Sequence, residues 1–161
     1  MKTFHRIARR DTASQWFMAY QTVSSHEPWK VPYHRLEDEK LNAFAYTDHC
    51  LGQLIDSLKT LPQWDNMLVI MIPDHGFLYK QSYEDPEFFH SPMLWLGGAI
   101  REPRRMSVLM NQSDLAATLL SQMGISHQDF PWSRNVLSRN YSYPFAYSSF
   151  PSGILFADST G

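Results

Sequence analysis

The chain has 161 residues, 43% of them hydrophobic, and a net charge of −2, so it can bury one full core and is expected to be a single domain or a large piece of one. That charge, with no basic stretch of note beyond Arg101 to Arg105, excludes nucleic acid as an expected partner. The apolar runs reach about half the ~20 residues needed to cross a bilayer, so the chain is expected to be soluble, and its one cysteine, Cys50, excludes an internal disulfide.

The start, Met1 to Arg10, is basic but lacks the apolar stretch of a signal peptide. Residues 2 to 12 fit a short amphipathic helix, and the apolar run 16 to 22 a buried strand. This run leads into the polar loop Gln21 to Trp29, which carries His26. Pro28 to Pro32 reads as a loop. From Leu36 to Leu61, apolar residues at Leu41, Phe44, Ala45, Leu51, Ile55 and Leu58 have the i, i+3, i+4 spacing of a helix with one buried face. Glu37, Asp38 and Glu39 suit its first turn and Lys59 its last.

The most apolar run of the chain, 67 to 72, follows as a strand. A helix returning directly to a strand is the connection used by parallel sheets. Phe77 to Ser91 is aromatic and charged without a period and reads as a long loop. A third strand, 92 to 96, stops at Gly97-Gly98, and Arg104 to Met110 fits a further short one. Asn111 to Asp114 supplies capping side chains for the helix Leu115 to Met123, which Gly124 ends. Strands are expected near Pro144 to Tyr147 and Gly153 to Asp158. Trp29, Trp64, Trp95 and Trp132 read as core or loop anchors. The chain stops directly after a strand signal, which suggests truncation, so residues 1–161 are read as one partial domain with 141–161 as its terminal strands.

Asp74-His75-Gly76 stands where the 67 to 72 strand ends. In open α/β sheets ligands bind beyond the carboxyl ends of the strands, so a carboxylate and an imidazole delivered together there are placed to hold a metal ion. The competing reading is an ordinary turn in which His75 caps a backbone carbonyl. His5, His34, His49 and His127 read as surface or structural residues, and the cluster Arg101, Arg104 and Arg105 as a solvated loop.

Five motifs then fall in a recognisable order: Thr22-Val23-Ser24-Ser25-His26-Glu27-Pro28, the helix carrying Tyr46-Thr47-Asp48, Pro73-Asp74-His75-Gly76, His90-Ser91-Pro92, and Gln112 through Leu120. Over roughly residues 16 to 140 this pattern resembles the alkaline phosphatase superfamily, in the sulfatase-type branch with lipoteichoic acid synthase and related phosphoglycerol or phosphoethanolamine transferases. The resemblance implies a three-layer α/β/α sandwich on a mixed, mainly parallel sheet, here incomplete. It implies that Asp74 and His75 are metal ligands, and that His26 and His90 have catalytic or substrate-contacting roles. Trp29, beside His26, is a candidate for the same pocket. Two-metal members carry an Asp four residues before the loop histidine. Thr22 stands at that position here, which points to one divalent ion.

A divalent ion neutralises charge building on phosphoryl or sulfuryl oxygens, while imidazoles donate hydrogen bonds to those oxygens or protonate the leaving alcohol. Asp plus His suits Mn²⁺ or Zn²⁺, with Ca²⁺ the expectation for a sulfatase. The family's nucleophile and first acidic ligand lie upstream of the loop histidine, and no residue here takes their place. A sulfatase would show Cys or Ser followed by x-Pro-x-Arg, but Leu51-Gly52-Gln53-Leu54 follows Cys50. The chain is therefore read as the C-terminal half of a catalytic domain, inactive alone and partnered by the N-terminal half, with an exposed sheet edge prone to self-association. A transferase is favoured over a sulfatase on the Thr-x-Ser-Ser-His loop, with a non-catalytic binding relative as the third reading. The full-length protein is expected to be membrane-anchored, with its catalytic domain outside the cytoplasm.

Overall fold

The computed structural model describes residues 2–10, 14–79, 82 and 85–160. The chain forms two compact units, Met1–Ile70 with Trp95–Arg101 and Met71–Leu94 with Glu102–Gly161.

In the first unit, helix α1 (Lys2–Ala8) is shorter than the expected 2 to 12, whose positions 11 and 12 lie outside the described residues. Helix α2 (Glu39–Leu58) carries no proline, and Asp38 caps it by accepting the Leu41 N–H at 3.0 Å. The helix begins three residues later than its apolar spacing suggests because Asn42 holds the preceding backbone in a loop. Its buried Oδ1 accepts the N–H groups of Arg35 and Leu36, both at 2.9 Å, and its Nδ2 donates to the carbonyls of Leu36 at 2.7 Å and Asp38 at 3.0 Å. All four bonding positions of the amide are thus used. The stripe that α2 buries contains Leu54, Ile55 and Leu58, packed with Ile7 of α1, Met67, Trp16, Met18 and Trp64. Leu41, expected on that face, is exposed. Leu58 is 2% exposed, and burying a leucine fully stabilises the fold by about 1.5–3 kcal/mol.

The expected strand 16 to 22 is not formed. Trp16 and Met18 pack on the core while Phe17, Tyr20 and Val23 stand in solvent, Phe17 at 86% exposure. A strand requires a hydrogen-bonding neighbour, and among the described residues this segment has none. Strands β1 (Val69–Met71) and β2 (Leu94–Leu96) pair as a two-stranded sheet, each shorter than its apolar run. Gly97 ends β2 at φ 121°, where a side chain would meet the carbonyl of Met67.

In the second unit, the loop expected over 77 to 91 contains a short 3-10 turn, Pro86–Phe89, capped by Asp85, which accepts the Glu87 N–H at 3.0 Å. No strand forms over 104–110, where residues 104–107 are exposed; four consecutive arginine, methionine and serine side chains in water leave that segment no apolar face to bury. Helix α3 (Leu115–Gln122) follows a 3-10 turn at Gln112–Asp114, and Gly124 ends it with φ 68°. Strands β3 (Phe145–Phe150), which runs past the expected end at Tyr147, and β4 (Gly153–Asp158), as expected, pair as an antiparallel hairpin with Phe145 opposite Asp158 and Phe150 opposite Gly153.

The core of this unit is polar as much as apolar. Asp114, fully buried, accepts from Arg134 at its backbone N (2.9 Å), Nε (3.0 Å) and NH2 (2.5 Å), and from the Asn111 N–H at 2.9 Å. The guanidinium also donates to the Phe145 carbonyl at 2.9 Å and lies 3.7 Å from the centroid of the Phe145 ring. Burial pushes the Arg134 pKa down, and the Asp114 carboxylate more than offsets that, leaving it raised from its ordinary value. Thr118 accepts the Val136 N–H at 3.1 Å, and Ser133 accepts the Ala117 N–H at 2.8 Å, so α3 and residues 133–136 are tied by side-chain hydroxyls. Trp132, expected as an anchor, is 89% exposed.

Candidate functional site

Asp74 follows β1 after Ile72 and Pro73, on a loop tied to the start of α3 by the Gln112 Nε2–H donating to the Pro73 carbonyl. The Asp74 carboxylate accepts the His75 backbone N–H at 3.2 Å, which turns the two side chains to the same side. His75 Nδ1 lies 2.7 Å from the Gly76 carbonyl. A carbonyl only accepts, so Nδ1 carries the proton and the Nε2 lone pair is free. That Nε2 sits 3.7 Å from Asp74 Oδ2, with the two side chains 71% and 72% exposed. Two donors on one tetrahedral ion with bonds of about 2.0–2.1 Å stand roughly 3.4 Å apart, so the pair fits a shared cation. The carbonyl-capping turn anticipated as the alternative is present, and the backbone contact orients the ring and fixes its tautomer. Among the described residues no group of three His, Cys, Asp or Glu gathers to hold a metal, and the pair offers two donors.

Gly76 explains why this motif ends in glycine. A Cβ there would fall on the carbonyl of Phe88, so only glycine lets the Asp74-His75 loop lie against the Pro86–Phe89 turn. That turn delivers His90, whose backbone N–H donates to the Glu87 carbonyl at 3.2 Å and whose Nδ1 is 3.6 Å from Glu87 Oε2. The ring is 78% exposed. Phe89 packs on Phe150 of β3, with centroids 6.1 Å apart, which seats the turn on the hairpin.

His26 and Trp29 belong to the first unit. Their loop is closed by the Trp29 N–H donating to the His26 carbonyl at 3.1 Å. His26 Nδ1 lies 3.1 Å from the Glu27 carbonyl, so this imidazole also presents a bare Nε2, as His75 does. Trp29 adopts φ 61°, a conformation that costs a bulky residue about 1–3 kcal/mol and clusters at ligand-binding loops. Its ring stacks near His26, with centroids 6.5 Å apart, and rests on Phe44 of α2 at 6.0 Å.

The structure thus brings Asp74 together with His75, the His90 turn beside their loop, and His26 together with Trp29. Sequence reasoning missed the Glu87 partner of His90, which an i, i+3 spacing could have suggested. It also missed Asn42 and Arg134, for which no local signal exists.

The family model described as Sulfatase matches residues 1–125. Arylsulfatase K of Canis lupus familiaris is 31% identical over 100 residues, which cover 55% of this chain and 18% of that protein. The crystal structure of a protein in the alkaline phosphatase superfamily from Vibrio parahaemolyticus matches with a TM-score of 0.69 at 27% identity, over 84% of this chain and 35% of that one. The likeness carries the α/β fold class of that superfamily. The chain spans under a fifth of the curated relative and about a third of the solved neighbour.

Proposed function

The chain belongs to the sulfatase family, and we propose from that premise that it is the part of a metal-dependent sulfuric-ester hydrolase that carries two of the metal ligands and the substrate-side histidines. The observation that carries this reading is the Asp74-His75 pair: a carboxylate and a bare imidazole Nε2 at 3.7 Å, both open to solvent, with the ring fixed by Gly76. Asp74 and His75 would hold the divalent ion, which when bound supplies charge neutralisation for the ester oxygens. The mixed oxygen and nitrogen donor set suits Mn²⁺ or Zn²⁺, and Ca²⁺ becomes the better candidate if the remaining ligands are all oxygens. His26, once it carries a proton on Nε2, would donate to an ester oxygen or protonate the leaving alcohol, and His90, beside Glu87, is the second proton carrier. Cys50 lies within α2 and takes no part. The nucleophile and the other ligands belong, on this reading, to an N-terminal half supplied as partner.

A second reading, transfer of a phosphoglycerol or phosphoethanolamine group, is favoured by the Thr22-Val23-Ser24-Ser25-His26 loop. It uses the same residues and differs in substrate.

The test is calorimetric titration of the chain with Mn²⁺, Zn²⁺ and Ca²⁺. One site per chain is expected, weakened more than tenfold in Asp74→Ala and His75→Ala; unchanged binding in both variants overturns the assignment. The chain alone is expected to hydrolyse neither nitrophenyl sulfate nor nitrophenyl phosphate. Turnover that Asp74→Ala abolishes would show that the chain carries its own nucleophile.

A further inference from the structure

The Asp74-His75 loop has two supports, and both rest on strand β3 within the second unit. The first is the turn Gln112–Asp114. Asn111, just before it, is bound both ways to the Tyr147 backbone, its Nδ2 donating to the carbonyl at 2.6 Å and its Oδ1 accepting the N–H at 3.1 Å, so the strand fixes where the turn begins. Asp114 closes the turn by accepting the Asn111 N–H at 2.9 Å and is itself held by Arg134. Gln112 then reaches out of the turn, and its Nε2–H donates to the Pro73 carbonyl. Proline has no N–H, so this carbonyl is the one main-chain group through which residue 73 can be hydrogen-bonded. A peptide unit is planar, so a donor that fixes the Pro73 oxygen also fixes the nitrogen of Asp74 and the direction from which its carboxylate is presented.

The second support is the Pro86–Phe89 turn. Phe89 packs on Phe150 of β3 and meets the Phe88 ring edge-on at 4.8 Å, and the Phe88 carbonyl occupies the place a Cβ of Gly76 would take. Tyr147 and Phe150 stand about 10 Å apart along the strand, so one strand sets the positions of both ends of the loop from Pro73 to Gly76. Gln112 is exposed, and its contribution is therefore this bond rather than core packing.

We infer that Gln112 is a positioning residue for the Asp74-His75 pair, and that Asn111 and β3 act on the pair through it. The inference rests on the proposed function for what the pair binds. It goes beyond that reading in placing control of the pair on a strand outside residues 1–125. Without the Gln112 bond the Pro73 carbonyl turns to water and the peptide before Asp74 is free to rotate. The carboxylate and the His75 Nε2, 3.7 Å apart in the structure, must then be ordered when the ion binds, and affinity falls by that cost.

The experiment is NMR and calorimetry on the full chain. Gln112→Met keeps the length of the side chain and removes its donor. In the metal-free protein it should shift the amide signals of Asp74, His75 and Gly76 while leaving the urea midpoint where it was, a combination that a merely structural role does not produce. Affinity for Mn²⁺ and Zn²⁺ should fall about three- to tenfold, the worth of one hydrogen bond. Asn111→Ala should shift the same amides, and adding Gln112→Met to it should weaken metal binding no further, since both act along one route. Unchanged Asp74 and His75 signals in Gln112→Met, or unchanged metal affinity, overturns the role of Gln112; losses that add in the double variant overturn the route through Asn111. A chain that binds neither ion even before substitution refutes the proposed function alone, because the metal-free shifts still decide whether Gln112 positions the loop.

Discussion

Replacing Asp114 with alanine removes the acceptor that organises the second unit. Four hydrogen bonds end on this fully buried carboxylate, two from the Arg134 guanidinium and two from backbone N–H groups, at 2.5–3.0 Å. Loss of one partner of a buried ion pair costs about 3–5 kcal/mol, because the surviving charge is left uncompensated. Here the Arg134 side chain is 25% exposed and keeps the Phe145 carbonyl and ring, which moves the charge penalty toward the lower end. The two orphaned backbone donors add about 1 kcal/mol or more each. The expected loss is therefore roughly 5 kcal/mol, about 10–20 °C in Tm for a chain of this size. Urea denaturation followed by circular dichroism measures it as a fall in midpoint at unchanged m. Arg134→Met added to Asp114→Ala should cost less than the sum of the two single changes, since the double variant buries no unpaired charge. A loss below about 1 kcal/mol for Asp114→Ala, or strict additivity, would refute this account.

Gly76→Ala, whose new methyl would meet the Phe88 carbonyl, should push the Asp74-His75 loop off the Pro86–Phe89 turn and weaken metal binding; native-like amide shifts at Phe88 and His90 would contradict the contact. The unpaired segment bearing Phe17, Tyr20 and Val23, at 86%, 64% and 74% exposure, should drive self-association, which Phe17→Lys reduces; sedimentation of the unmodified chain as a compact monomer at micromolar concentration counts against this. The Tyr143 hydroxyl donates to Asp158 Oδ2 at 2.5 Å, and that bond raises the phenol above 10.0. The associated stability is present below pH 10.0 and is lost as pH rises through the folded value, and NMR titration of Asp158→Asn should show the phenol returning toward 10.0. A Tyr143 that titrates identically in both proteins removes the bond from solution.

The helices were largely legible from sequence because every bond that makes them spans four residues or fewer. The spacing of Ile55 and Leu58, the Asp38 cap, and the Asn111 to Asp114 turn before α3 all act within one or two turns. The strands β3 and β4 were legible as strands, though their pairing across the two-residue turn at Pro151-Ser152 was not read from the sequence. The Asp74-His75 pair was legible as well, since adjacent residues at a strand end need no distant partner to be placed together. Strand pairing elsewhere was not. The apolar run 16 to 22 has strand composition, but a strand exists only where a second segment supplies its hydrogen bonds, and composition does not say whether one is present. Long-range polar contacts were equally silent: Asp114 meets Arg134 across 20 residues, and the Asn111 side chain pairs both ways with the Tyr147 backbone, its Nδ2 donating at 2.6 Å and its Oδ1 accepting at 3.1 Å across 36. The sequence by itself therefore determined the local elements and the adjacency of Asp74 and His75 beyond a strand end. Only the tertiary structure decided that Asp114 is a buried counter-ion rather than a helix cap alone, and that Gly76 is needed because Phe88 lies against it, because each of these depends on which atoms far apart in sequence come within a few ångströms.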